Sequence, residues 1–191
     1  MMDTSKIRLR ELKETDRELY LLAASEEPGC EKLYSDNLCA NITWLLAYGD
    51  KGKRKNYVIE NREGSFIGYC NVEKGETPEI GINLLPDYQG KGIGLTVIKL
   101  LWIKISQERK LTYFIARVEE KNTKSIRMFE KLGAKIIKTE ESELVKHLRE
   151  LVLKDKSFEV TLRKLEKFNL KIRQYRWSIE DFNGEEENVW H

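Results

Sequence analysis

The segment Leu84-Leu85-Pro86-Asp87-Tyr88-Gln89-Gly90-Lys91-Gly92-Ile93-Gly94 constrains this chain more than any other. A strand-like run breaks at proline, alternate glycines follow, and a helical pattern begins. Glycine reaches backbone conformations closed to other residues and leaves N–H groups uncovered. Such a loop, opening a helix, therefore turns successive donors toward an anion, and the helix dipole adds a favourable field. The local reading is a phosphate cradle between a strand and a helix.

Spacing then removes two familiar cradles. A dinucleotide fingerprint requires a third glycine where this chain has Leu95, and a Walker loop requires its lysine elsewhere than Lys91. A phosphate-bearing cofactor held mainly by main-chain N–H groups remains.

At 191 residues the chain is expected to form one domain spanning 1–191. Its formal net charge of +2 provides no electrostatic case for nucleic acid or an anionic membrane as main partner. Cys30, Cys39 and Cys70 are odd in number and lack ligand spacing, and His147 and His191 have no neighbouring ligand, so neither a disulfide framework nor a metal is expected. With no apolar leader and no stretch long enough to span a bilayer, the expected location is the cytoplasm.

Ile7 and Leu9 alternate with arginines as a first strand. A capping box at Thr15 to Glu18 starts a short helix with Leu19, Leu22 and Ala23 on one face, ended by Pro28-Gly29. Leu33, Leu38, Ile42, Leu45 and Leu46 mark a second helix able to cover a sheet. Tyr57 to Glu60 and Phe66 to Val72 form a hairpin about Asn61 to Ser65, and Glu79 to Leu84 is the next strand. On that strand Glu79, Gly81 and Asn83 share one face.

After the glycines, Ile98, Leu101, Trp102 and Ile105 recur at helical spacing, and Thr112 to Val118 reads as a strand. Asn122 caps a further helix ended by Gly133, and Ala134 to Thr139 is another strand. Two helices over about 140–169 then interrupt the sheet before the strand Leu170 to Ser178, and the tail 183–191 is expected to be loose.

Gln89-Gly90-Lys91-Gly92-Ile93-Gly94 resembles the Q/R-x-x-G-x-G/A signature of the GNAT superfamily of N-acetyltransferases. The run Pro78 to Tyr88 looks most like the branch containing ribosomal-protein N-terminal acetyltransferases and their small-molecule relatives. Asn122-x-x-Ser125-x-x-x-Phe129-Glu130-Lys131-x-Gly133 resembles the asparagine-bearing helix downstream in the same family. The resemblance implies an α/β fold: a mixed, mainly antiparallel central sheet flanked by helices, here with a helical insertion before the last strand.

It further implies acetyl-CoA as donor, with pyrophosphate on the N–H groups of Gln89, Gly90, Lys91, Gly92, Ile93 and Gly94. The pantetheine arm would run beside Leu84 and Leu85, and Asn122 would hydrogen-bond it. A main-chain N–H near Leu84 or Leu85 is the expected oxyanion donor, and Glu79 the candidate general base for a primary amine of a peptide N-terminus or a small molecule. Many relatives carry a proton-donating tyrosine where this chain has Phe129, which leaves Tyr113, Tyr88, Ser125 or water for that role. A non-catalytic acyl-CoA-binding sensor or interaction module is the alternative, and the 140–169 helices are a candidate surface for a homodimer.

Overall fold

The computed structural model describes residues 7–26, 37–49, 54–75, 77–106, 108, 111–166 and 171–178. Pro28-Gly29, Cys30, Leu33 and the tail 183–191 lie outside these residues, as do the side chains of Cys39, Leu144 and Leu165. The fold is mixed α/β, with antiparallel sheets flanked by helices. The chain divides between Phe114 and Ile115 into two compact units.

The first unit carries strands β1 (Arg8–Glu11), β2 (Arg54–Glu60), β3 (Phe66–Glu73) and β4 (Ile80–Leu84), hydrogen-bonded in that order. Each pair is antiparallel, with Leu9 opposite Ile59, Val58 opposite Tyr69, and Tyr69 opposite Asn83. The β2–β3 turn follows from its residues: Gly64 takes φ +81°, and the Asn61 side chain accepts from the Ser65 N–H at 2.8 Å.

Helices α1 (Arg17–Ser25) and α2 (Asn37–Trp44) belong to this unit, and α2 runs into a π-helical turn, Leu45–Gly49. Their orientation differs from the leucine pattern. Tyr20, Leu21, Ala23, Ala24 and Ala40 are buried with Val58, Phe66 and Tyr69, and Trp44 and Ala47 pack against them, whereas Leu19, Leu22, Leu38, Ile42, Leu45 and Leu46 are exposed. Aromatic rings and small residues supply the inner faces, so the helices are turned away from the orientation that the leucines predict. The cap before α1 differs too. Asp16, rather than Thr15, satisfies an early donor, accepting from the Lys13 N–H at 2.8 Å.

Arg10 ties β1 to this cap and to β2. Its guanidinium donates to both Asp16 oxygens at 2.7 and 2.8 Å and to Glu60 at 2.5 Å. Helix α3 (Ile93–Ser106) buries Val97, Ile98, Leu101, Trp102 and Ile105, the stripe that its spacing predicts.

The second unit holds most of β5 (Phe114–Glu119), with β6 (Lys135–Glu141) and β7 (Lys171–Trp177), in the order β5-β7-β6. Helix α4 (Thr123–Lys131) lies between β5 and β6 in sequence. It ends at Gly133, φ +75°, with the Gly133 N–H on the Glu130 carbonyl and the Ala134 N–H on that of Phe129, both at 3.0 Å. This is the Schellman pattern, which requires a left-handed residue after the last turn.

The expected insertion is present as α5 (Glu143–Lys154) and α6 (Glu159–Glu166), joined by a 3₁₀ turn. Val145, Leu148 and Leu162 bury one another, with Leu151 and Val152 packed against them. Arg149 joins the two helices through Glu166 at 2.8 Å and also pairs with Glu141. Among the described residues, no helix is long and apolar enough to cross a membrane.

Candidate functional site

The glycine loop takes the conformation that its residues predict. A 3₁₀ turn, Pro86–Tyr88, follows β4, and Gln89 is extended. Gly90 and Gly92 then adopt φ +72° and +80°. A Cβ on either would meet no atom of the described residues within 4 Å, so the glycines answer to backbone conformation and to whatever approaches, not to crowding among those residues. The Gly92 carbonyl accepts from the Leu95 N–H at 3.1 Å and begins α3.

Tyr88 and Gln89 spend their N–H groups within the turn, on the carbonyls of Leu85 and Pro86. The donors of Gly90, Lys91, Gly92, Ile93 and Gly94 have no acceptor among the described residues. Successive uncommitted amides at a helix start form an anion seat. Gln89 contributes through its side chain, its Nε2 donating to the Leu84 carbonyl at 3.0 Å and fastening the loop to the strand it leaves. Lys91 sits on the exposed side, its Nζ 5.8 Å from the centre of the Tyr88 ring.

The β3–β4 ladder separates two residues that the sequence treats alike. Glu73 donates to the Glu79 carbonyl at 2.8 Å, and Leu85 to that of Ile67 at 3.0 Å. Directly bonded pairs alternate along an antiparallel ladder, so the main-chain groups of Gly81 and Asn83 also turn to β3, while those of Ile80, Ile82 and Leu84 turn away from it. β4 ends its sheet, which puts the Leu84 N–H on the edge.

The expectation for Leu85 is thereby corrected. Its N–H is spent on Ile67, its carbonyl accepts from Tyr88, and its side chain packs against the Tyr20–Tyr69 cluster. Leu84 is left as the one edge donor of the pair.

Glu79 stands immediately before β4, half-buried, and its carbonyl accepts from Glu73 in continuation of the ladder that sets Gly81 and Asn83 on the same face. The Asn83 amide donates to the Tyr69 hydroxyl across the strand pair. The Tyr113 hydroxyl lies 3.5 Å from that of Thr77, two residues before Glu79. Sequence reasoning missed Tyr69 and Asn71, because only the register brings them opposite Asn83 and Gly81.

Asn122 belongs to the second unit. There its Oδ1 accepts from the Ser125 N–H at 3.0 Å and caps α4, which leaves the two Nδ2 protons for another acceptor. Phe129 is buried and stacks on Tyr175, ring centres 5.5 Å apart and planes at 17°. Its ring is core, where a hydroxyl would have to be desolvated.

Among the described residues no group of three or more His, Cys, Asp or Glu side chains is arranged to hold a metal ion. The family model described as the acetyltransferase (GNAT) domain matches residues 6–135. No curated protein matches the chain in sequence.

Solved structures match in fold. The Vibrio cholerae SpeG spermidine N-acetyltransferase K23-Q34 chimera with hSSAT is 15% identical, with TM-score 0.68 over 93% of this chain and 98% of that one. The Vibrio cholerae spermidine N-acetyltransferase in complex with CoA and spermine is 13% identical, with TM-score 0.66 over 93% and 98%.

Proposed function

Because the chain belongs to the GNAT acetyltransferase family, we propose that it transfers the acetyl group of acetyl-CoA to a primary amine, on a small molecule or a peptide N-terminus. The observation that carries this is the run of uncommitted N–H groups from Gly90 to Gly94, fastened by Gln89 to the edge strand that presents Leu84. These residues fit the cofactor. The amides suit a pyrophosphate, and an edge strand suits an amide-bearing arm.

Bound there, acetyl-CoA supplies a thioester whose carbonyl carbon accepts the amine. The Leu84 N–H donates to the oxygen on which charge develops. Glu79 takes the proton that the amine must lose, directly or through one water. Asn122, in the second unit, caps α4 through its Oδ1 and keeps two amide protons for an acceptor. Phe129 has no proton to give the departing thiolate, so that proton comes from the Tyr113 hydroxyl or from solvent. The family match crosses the boundary at Phe114, which supports treating residues 1–191 as one functional domain. The motif likeness to the ribosomal-protein branch keeps peptide N-termini among the acceptors, and the structural likeness to spermidine acetyltransferases keeps small amines.

The test is release of free coenzyme A thiol from acetyl-CoA with a panel of amines, each product confirmed by mass. Acetylation of at least one amine is expected. Tight coenzyme A binding without turnover across the panel would instead establish the acyl-CoA-binding module, the reading that Phe129 favours.

A further inference from the structure

The peptide group that joins Asn83 to Leu84 has two ends, and β3 controls one of them. A trans peptide is rigid and planar, its carbonyl and its N–H pointing opposite ways. Tyr69 and Asn83 form a directly bonded pair of the β3–β4 ladder, so the Asn83 carbonyl faces β3 while the Leu84 N–H faces the sheet edge. Whatever presses on that carbonyl re-aims the N–H.

Gly68 stands against the carbonyl. It is buried within β3 and lies opposite Leu84 in the register. A Cβ on Gly68 would lie 2.3 Å from the Asn83 carbonyl oxygen and 2.9 Å from the Leu84 Cα. Both are main-chain atoms, which no rotamer change can clear. β4 therefore approaches β3 more closely here than any side chain allows, and seating a methyl group would drive the Asn83–Leu84 peptide away by about 1 Å. Gly81 differs: a Cβ there would meet only the Asn71 side-chain amide, at 3.1 Å, and that amide can turn aside.

The groups around Leu84 are held from several directions. The Asn83 side chain donates to the Tyr69 hydroxyl. The next peptide is tied at both ends, the Leu84 carbonyl accepting from Gln89 and the Leu85 N–H donating to the Ile67 carbonyl, each at 3.0 Å. Of the four polar ends of these two peptides, the Leu84 N–H is the one directed out of the ladder.

We propose that Gly68 and Tyr69 are positioning residues for acetyl transfer. Gly68 admits the Asn83 carbonyl at close range, Tyr69 holds the Asn83 side chain, and together they aim the Leu84 N–H at the thioester oxygen. The inference rests on the acetyltransferase reading and deepens its account of the oxyanion donor. A donor of this kind acts on charge that develops as the amine adds to the carbonyl carbon, so its direction matters more for turnover than for holding the cofactor.

The experiment compares the parent with Gly68→Ala and Tyr69→Phe. Three quantities are measured: the acetyl-CoA Kd, the infrared carbonyl stretch of bound acetyl-CoA labelled with carbon-13 at the acetyl carbonyl, and kcat and KM with the best amine. In the parent the stretch should lie below that of free acetyl-CoA, because an N–H donor weakens the C=O bond. Gly68→Ala should return it toward the free value and lower kcat about 100-fold, with Kd and KM changing far less. Tyr69→Phe adds no atom and removes one hydroxyl, so it should move the stretch the same way and lower kcat about fivefold. A role in folding alone would lower the thermal midpoint and leave the stretch of the bound thioester where it is in the parent.

A bound thioester that absorbs at the free frequency in the parent overturns the inference. So does a folded Gly68→Ala protein that keeps the parental stretch and kcat, and in that case acetyl transfer stands. If Gly68→Ala does not fold, Tyr69→Phe decides, a partial return of the stretch supporting the inference and an unchanged one overturning it. If no amine is acetylated, the proposed function fails by itself, and the infrared comparison, which needs only bound acetyl-CoA, still decides how the Leu84 N–H is aimed.

Discussion

The Nε2 of Gln89 donates to the main-chain carbonyl of Leu84 at 3.0 Å, so the glycine loop is pinned to the end of the strand from which it departs. The bond couples two parts of the proposed cofactor seat, the N–H groups after Gln89 and the edge N–H of Leu84.

Replacing Gln89 by alanine removes this pin and leaves the backbone path intact. One neutral hydrogen bond contributes about 1 kcal/mol, so coenzyme A affinity should fall about fivefold. Calorimetric titration measures it. An unchanged Kd would show that the loop holds its shape without the side chain.

Gly90 separates folding from binding. Its φ of +72° is one that asparagine tolerates, and no described residue lies within 4 Å of an added Cβ. Gly90→Asn should therefore fold with a thermal midpoint near that of the parent, while the side chain obstructs an approaching phosphate and coenzyme A affinity falls about tenfold or more. Retained affinity would remove the pyrophosphate from this position.

Glu79→Gln tests the base. General-base assistance contributes about 100-fold or more, so kcat/KM for the best amine should drop by that order at pH 7. Only roughly a tenth of α-amino groups are neutral at that pH, and the fraction rises with pH. The deficit should accordingly shrink toward pH 9. A pH-independent deficit would instead assign Glu79 to binding.

Asp16 couples stability to pH. Burial pushes its carboxyl up, but the Arg10 guanidinium and the Lys13 N–H outweigh burial and hold it below the usual range. A depressed folded-state value means that the stabilisation is present above the unfolded value, about 4, and is lost as pH falls through the folded one. Asp16→Asn should cost about 2 kcal/mol at pH 7 and much less at pH 2. Urea unfolding across that range checks it.

Much of the architecture was legible because its signals are short-range. The Asn61–Ser65 turn, the Asn122 cap and the Gly133 stop each depend on a few neighbouring residues, and each formed where expected. The insertion was legible from its apolar spacing. The N-terminal helices were less so: counting leucines favoured Leu38, Ile42, Leu45 and Leu46, yet Tyr20, Ala40 and Trp44 face the core. Periodicity reports that a helix has an apolar side, whereas ring shape and small-residue fit decide which side packs.

The glycine run by itself determined a helix-opening anion cradle, since positive φ at Gly90 and Gly92 is a local property of the chain. Only the tertiary structure decided that Leu84, and not Leu85, turns its N–H to the sheet edge, because that depends on where the ladder to Ile67 starts. It alone also set Tyr69 against Asn83 and Asn71 beneath Gly81. Such pairs join residues distant along the chain, and strand register is a cooperative outcome of the whole sheet and its packing.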